Sequence, residues 1–306
     1  MGRERARCAT GYGARLMAVY DIDRERAEAL SSNFGSTILS NPRDFMDMDL
    51  DAVFVCTPPD SHEDLALDAV SRGIAFLVEK PIATSHNATL RVEEALSASS
   101  VVNAVGYMNR YRTSVRHAKT LLKGTRTLGL SGHWVCGAYG VPWWLDTRSS
   151  GGPLNEQATH LFDLCRFLLG EIESIEAFCS PSRGDSLPLG TSAALRFTNG
   201  ALGAILYSCE GARKDMGLRI FTSAGSIALS GWDFRLMENT IDGTVPEQRE
   251  EDVFAIETGV FLDAVRAGCG EGIASTWHDA MRTQLVVDRA RLSAYGNQES
   301  GGALEE

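Results

Sequence analysis

Short, almost wholly apolar runs alternate with amphipathic stretches through the first third of the chain. The runs at 16–20, 52–56, 75–78 and 101–105 read as strands. The stretches at 24–32, 62–72 and 85–98 read as helices, with Asp23 and Thr84 available as caps. Regular alternation of strand and helix predicts right-handed crossovers and a parallel sheet. Strands covered on both faces need the apolar composition these runs have. Past Gly106 the rhythm changes. A helix at 113–122 and a strand at 127–136 lead into a loop rich in Gly, Trp and Ser, then a helix at 153–169. Strands follow at 172–178, 191–197, 201–208, 217–223 and 226–230 with no helix between them, and Thr198-Asn199-Gly200 signals a hairpin. Helices near 251–267 and 276–295 close the pattern, and the tail at 298–306 reads as disordered.

The pattern predicts an α/β chain: an N-terminal Rossmann-type parallel sheet over 1–106, then an α+β domain with an open, mainly antiparallel sheet over 107–306. A dinucleotide fold normally opens on a strand, then G-x-G-x-x-G, then a helix whose N-terminus takes the pyrophosphate. Here Met1-Gly2-Arg3 passes directly into residues that suit a helix. Asp21 ends the run at 16–20 and stands 19 residues after Gly2, the spacing expected of the acidic residue that binds the ribose hydroxyls. Gly2 therefore fits the last glycine of the fingerprint, and the first strand and the earlier glycines have no counterpart. That strand is the central one in the usual order, and a sheet without it has two unpaired inner edges. The expectation is that the given sequence starts downstream of the true start; the alternative is a variant with a repaired sheet. Asp21 could also be a plain turn residue. A carboxylate there favours NAD by repelling a 2′-phosphate, while Arg24 leaves NADP open.

Composition narrows the function classes. Of 306 residues, 44% are hydrophobic and 23% charged, enough apolar material for a real core. The net charge of −11 disfavours nucleic acid and anionic membrane surfaces. No apolar run reaches the length of a membrane span. The seven cysteines lack any C-x-x-C pair, which suits reduced thiols and gives no metal site. The basic N-terminus has no apolar stretch of a signal peptide, and Ala6 stands where a myristoylation signal needs Ser or Thr. The expected location is the cytoplasm.

Three motifs carry the candidate chemistry. Thr57-Pro58-Pro59-Asp60-Ser61-His62 follows one strand and Glu79-Lys80-Pro81 follows the next. Ligands bind outside the carboxyl ends of parallel strands, so Thr57 and Lys80 should face one crevice. The prolines fix a turn that passes close to a cofactor, and Pro81 biases Lys80 to an extended backbone. Lys80 could instead be paired with Glu79 or another carboxylate. The third motif, Gly151-Gly152-Pro153-Leu154-Asn155-Glu156-Gln157-Ala158-Thr159-His160, opens the long helix of the second half. Glu156 and His160 are four apart, so on a helix they share a face. A histidine titrates near neutrality and suits a proton acceptor, with the carboxylate orienting its ring. A structural histidine is the plainer reading. Asp163 reads as structural, pairing with Arg166.

Together these motifs resemble the glucose–fructose oxidoreductase, inositol dehydrogenase and MocA (Gfo/Idh/MocA) family over essentially the whole chain. The resemblance implies NAD or NADP across the first domain, with Gly2, Asp21, Thr57, Pro58, Pro59, His62, Glu79 and Lys80 on the cofactor side. It implies Lys80, Glu156 and His160 as catalytic residues, with Glu156 where the family usually has Asp. His62 could equally be a surface helix residue. Arg110, Trp143, Trp144, Asn155 and Thr159 are the expected substrate contacts, with Arg148 a further candidate; the adjacent tryptophans could stack on a sugar or simply pack. The implied substrate is a sugar, inositol or related polyol, and the implied assembly a homodimer or homotetramer. An NAD-dependent glycoside-cleaving enzyme and a non-catalytic dinucleotide-binding regulator, both found among relatives, are the alternatives.

Overall fold

A computed structural model describes residues 1–180 and 189–300, with side chains through 295. The chain divides into two units. The first comprises 1–83, 87–108 and 252–281, and the second comprises 84–86, 109–251 and 282–306. The division expected at 106 makes a single cut. The observed one returns 252–281 to the first unit, because a late helix packs on the N-terminal one there.

In the first unit, α1 (Gly2–Gly11) precedes β1 (Ala18–Val19), α2 (Arg24–Phe34) and β2 (Thr37–Ile38). Then come β3 (Ala52–Val55), α3 (His62–Arg72), β4 (Ala75–Val78), α4 (Leu90–Ser97) and β5 (Asn103–Val105). Asp23 caps α2 as expected, its side chain accepting from the N–H groups of Glu25 and Arg26. The parallel strands fall into two sheets: β1 pairs with β2, and β3–β4–β5 form the other. The break lies between β1 and β3, the place that the usual order assigns to the first strand. All four residues of β4 are buried. Phe76 and Val78 face the cluster under α3 and α4, which holds Ala66, Val92 and Trp277. Ala75 and Leu77 face the other way, against Ala9, Phe261 and Leu262.

The second unit runs α5 (Thr113–Leu122), β6 (Thr127–Gly137), α6 (Pro142–Leu145), α7 (Thr147–Ser150), a π-helical turn (Leu154–Ala158) and α8 (Thr159–Leu169). Six strands follow: β7 (Ile172–Cys179), β8 (Gly190–Phe197), β9 (Leu202–Ser208), β10 (Glu210–Thr222), β11 (Gly225–Ser230) and β12 (Arg235–Asn239). Two helices end the chain. The first, α9 (Val253–Ala267), belongs to the first unit; the second, α10 (Trp277–Ser300), starts there and continues into the second. The seven strands order as β12-β11-β10-β6-β9-β8-β7, antiparallel throughout except for the parallel pair β6–β9. β12 is absent from the predicted pattern. Strand β8 alternates buried and exposed residues, because one face of the sheet lies on α5, α8 and α10. The other face leaves Phe178, Leu202, Leu206 and Phe221 exposed. The helix α10 continues to Ser300, beyond the predicted end at 295; the rest of the tail expected to be disordered, 301–306, lies outside the described residues. Among the described residues, no helix is long and apolar enough to cross a membrane.

Candidate active site

The carboxyl ends of β1, β3 and β4 carry the first group of candidates. Asp21 follows β1, and its Oδ1 accepts the N–H of Asp23 at 2.9 Å. The nearby Arg24 is tied along its own helix to Glu28, at 2.9 Å. After β3, Thr57 Oγ1 accepts from the Ser61 hydroxyl at 2.6 Å, which closes the Pro58–Pro59 turn. After β4 comes Glu79-Lys80-Pro81, with a cis peptide before Pro81.

His62 joins the two turns. Its Nε2 lies 2.8 Å from the Thr57 carbonyl oxygen and its Nδ1 3.1 Å from that of Pro81. The ring is fully buried, and burial lowers its pKa despite the pull of the two carbonyls. This corrects the expectation that His62 lines the cofactor, and the surface alternative too: both ring nitrogens are turned inward. Glu79 is corrected in the same way. Its Oε1 takes the Arg5 Nε at 2.7 Å, and Arg5 Nη2 reaches Glu257 at 2.6 Å. Arg5 also donates to Thr258 and lies over the Phe254 ring. Burial pulls the Arg5 pKa down, but the two carboxylates outweigh it and hold the guanidinium charged. Gly106 completes the enclosure: a Cβ there would stand 2.9 Å from Arg5 Nη2 and 3.0 Å from Glu79 Oε2. Burial, then Glu79, pushes the neighbouring Cys56 thiol up to about 12, so it stays protonated. Sequence reasoning missed Arg5, whose partners lie 74 and 252 positions away.

The remaining residues of this unit fit a dinucleotide. The N-cap of α1 is Met1, with no side chain bonded to the first turn, and the nearest atom to a Cβ on Gly2 is the Cys56 Cβ at 3.8 Å. The N–H groups of a helix N-terminus suit a pyrophosphate. Asp21 after β1 suits the ribose hydroxyls.

In the second unit the Gly151–Gly152–Pro153 turn is held from several sides. Arg291 donates to the Gly151 carbonyl at 2.6 Å, and Ser150 Oγ accepts the Gly152 N–H at 2.8 Å. Gly151 has φ +74° and could carry no side chain, since a Cβ would meet the Asn155 amide at 2.5 Å and the Thr84 carbonyl at 2.8 Å. Glu156 lies in the π turn and His160 in α8, and both are buried. The π turn that carries Glu156 is of a kind frequent at functional sites. The His160 ring stacks on Trp134 of β6, centroids 5.3 Å apart and planes 13° from parallel.

Several expected substrate contacts are engaged within the protein itself. Arg110 forms a bidentate pair with Asp163 at 2.9 and 2.6 Å, and its guanidinium lies over Phe167. Asp163 pairs with Arg110, and it shares the Thr283 hydroxyl with Arg166, whose fork grips Glu171. Trp144 is fully buried, Trp143 partly so, and both pack in the core. The Asn155 amide donates to the Ser150 carbonyl at 2.7 Å and its oxygen accepts from Gln284 at 2.7 Å. Thr159 is fully buried, and Arg148 is exposed and paired with Asp146. Trp232, in the turn between β11 and β12, does reach solvent, with its ring T-shaped to that of Trp134 at 6.1 Å between centroids.

Comparison with known proteins adds the following. Residues 2–107 match the family model described as "Oxidoreductase family, NAD-binding Rossmann fold", and residues 128–228 match the GFO/IDH/MocA C-terminal domain. Inositol 2-dehydrogenase 1 of Saccharopolyspora erythraea is 33% identical over 314 residues, covering 99% of this chain and 84% of that protein. Inositol 2-dehydrogenase 4 of the same organism is 29% identical, covering 87% and 81%. A solved levoglucosan dehydrogenase in complex with NADH and levoglucosan superposes with TM-score 0.83 at 20% identity, covering 97% of this chain and 94% of that one. The WlbA dehydrogenase from Bordetella pertussis, in complex with NADH and UDP-GlcNAcA, superposes with TM-score 0.86 at 19% identity, covering 97% and 93%. At these identities the structures speak for the fold.

Proposed function

We propose an activity from one premise: this chain belongs to the Gfo/Idh/MocA family of NAD-binding oxidoreductases. It oxidises a secondary hydroxyl of an inositol, a sugar or a related cyclic polyol to a ketone. The observation that carries this reading is the 33% identity to an inositol 2-dehydrogenase across 99% of the chain, with Lys80, Glu156 and His160 all present in their motifs.

The chemistry that NAD supplies when bound is acceptance of the hydride at its nicotinamide ring. The chain does the rest. Gly2 and the first turn of α1 hold the pyrophosphate, and Asp21 holds the ribose and disfavours a 2′-phosphate. Thr57, Pro58 and Pro59 form the turn beside it, braced from inside by His62. His160 takes the hydroxyl proton, so that one hydride and one proton leave the alcohol together. Lys80 donates a hydrogen bond to the reacting oxygen and steadies its developing negative charge. Glu156 is the positioning residue for His160, and the Trp134 stack restrains the ring.

The test is steady-state NADH production with myo-inositol and a panel of sugars. Lys80→Met is expected to lower kcat by about 10²–10⁴-fold, the usual weight of one such group, with NADH affinity changed little. Near-full turnover in that variant would overturn the assignment. We also propose that the outer face of the seven-stranded sheet joins two or more copies, in support of which Phe178, Leu202, Leu206 and Phe221 stand exposed on it. Sedimentation velocity is expected to give a dimer or tetramer, and a monomer at micromolar concentration would end that reading.

A further inference from the structure

Trp232 and Lys214 stand out on the second unit because neither is explained by packing. Trp232 is 40% exposed, yet the turn that presents it is held at three points. The Gly231 N–H donates to the Met216 carbonyl of β10 at 2.8 Å. Asp233 accepts from Arg112 at 3.0 Å. Phe234 is fully buried at φ +47°, a strained value for a phenylalanine, with its ring 6.3 Å from that of Trp134. A rigid turn holding a large aromatic in water is an expensive arrangement unless the ring meets something.

Lys214 comes from an irregular stretch of β10. The pairing of β10 with β6 jumps from Glu210–Gly137 to Asp215–Val135, so residues 211–214 drop out of the ladder. Bulges of this kind re-aim side chains, often beside active sites. The Lys214 ammonium lies over the Trp232 ring, 4.7 Å from its centroid. The neighbouring carboxylates are engaged elsewhere: Asp215 with His133 at 3.0 Å and Asp233 with Arg112. Among the described residues no carboxylate pairs with Lys214, in a chain of net charge −11. A continuous series of contacts thus runs from His160 through Trp134 to Trp232 and Lys214.

We propose that Trp232 and Lys214 form a substrate subsite for an acidic sugar, a ring whose apolar C–H face lies on Trp232 and whose carboxylate or phosphate meets Lys214. This rests on the assignment of His160 given above, and it narrows the substrate class from polyols at large to anionic ones. Trp232 supplies the flat apolar surface that sugars and cyclitols share. Lys214 separates charged from neutral members of that class, because an ammonium without a carboxylate partner gains most from an anion.

The test is isothermal titration of the full chain with NAD present, using D-glucuronate, D-glucose 6-phosphate and D-glucose. At least one acidic sugar is expected to bind about tenfold or more tightly than D-glucose, a difference of about 1.4 kcal/mol. The two acids separate a carboxylate site from a phosphate site. Lys214→Met should abolish the preference and Lys214→Arg should keep it. Trp232→Ala should weaken all three sugars, and Trp232→Phe should restore part of the loss. Equal binding of acid and neutral sugar, a preference that survives Lys214→Met, or no binding of any of the three overturns the proposal. An acid preference with these variant effects, but no hydride transfer to NAD, would sink the dehydrogenase reading and leave the subsite standing. Turnover of myo-inositol without any acid preference would do the reverse.

Discussion

The two units solve the same problem with different materials. The second has one continuous sheet of seven strands, closed on one face by an apolar cluster in which Phe162, Phe197 and Ile220 are fully buried. The first has its parallel strands split into sheets of two and three, the longest strand only four residues. What ties α1, the end of β4 and α9 together in that unit is Arg5, held by two carboxylates on elements far apart in sequence. Backbone ladders and apolar area tolerate local loss, since each contact is small. A buried charge does not, because removing one partner leaves the others without water or counter-charge. The second unit has a buried pair of its own, Arg110–Asp163, but in the unit with less sheet one such side chain, Arg5, joins elements 74 and 252 positions apart.

The sharpest way to break this comparison is Arg5→Met. It should destabilise the first unit by about 3–5 kcal/mol, as for other broken buried pairs. Hydrogen exchange read by segment should show β4 and α9 losing protection while β8 and β9 keep theirs. Equal loss in both units, or none in either, would show that the ionic knot is not what distinguishes them.

A smaller effect should come from His62. Burial holds its pKa below the ordinary 6.5, so the unfolded chain binds a proton that the folded one resists. Its contribution is complete above about pH 6.5 and is lost as the pH falls below that value, by about 1.4 kcal/mol for each unit of pKa separation. Denaturant midpoints at pH 7.5 and 5.5 should fall more for the wild type than for His62→Gln. The opposite sign would mean that the two carbonyl oxygens at its ring nitrogens outweigh burial and favour the charged ring.

Elements whose limits depend on neighbouring residues could be read from sequence. The helices α3 and α5 match their predicted ends, His62–Arg72 and Thr113–Leu122, since turn residues and apolar periodicity mark both. The Asp23 cap was equally visible. The Lys80 and His160 motifs were legible as patterns of residue types at fixed spacing. What lies at a distance was not. Nothing near Arg5 announces Glu257, and nothing near Arg110 announces Asp163, 53 positions on. The π turn at Leu154–Ala158 hides inside a periodicity that suits an α-helix almost as well. Within the mainly antiparallel sheet, the parallel β6–β9 pair was not legible; it arises because the chain crosses from β6 through α6–α8 to the far edge at β7 and steps back through β8 to β9. The tryptophan pair misled for a simpler reason: composition says that an indole suits a sugar, but only packing tells that Trp144 faces inward while Trp232 faces out.

The late return of α9 to the first unit bears on how the protein is made. On a ribosome adding about 5–20 residues per second, Arg5 is synthesised tens of seconds before Glu257, which lies 252 positions later. For that interval the nascent first unit holds a guanidinium with one of its two carboxylates and no helix to cover α1. The second unit begins and nearly ends its synthesis in the meantime. Order of emergence and order of completion are thus inverted: the unit that leaves the tunnel first is finished by a helix that leaves it near the end.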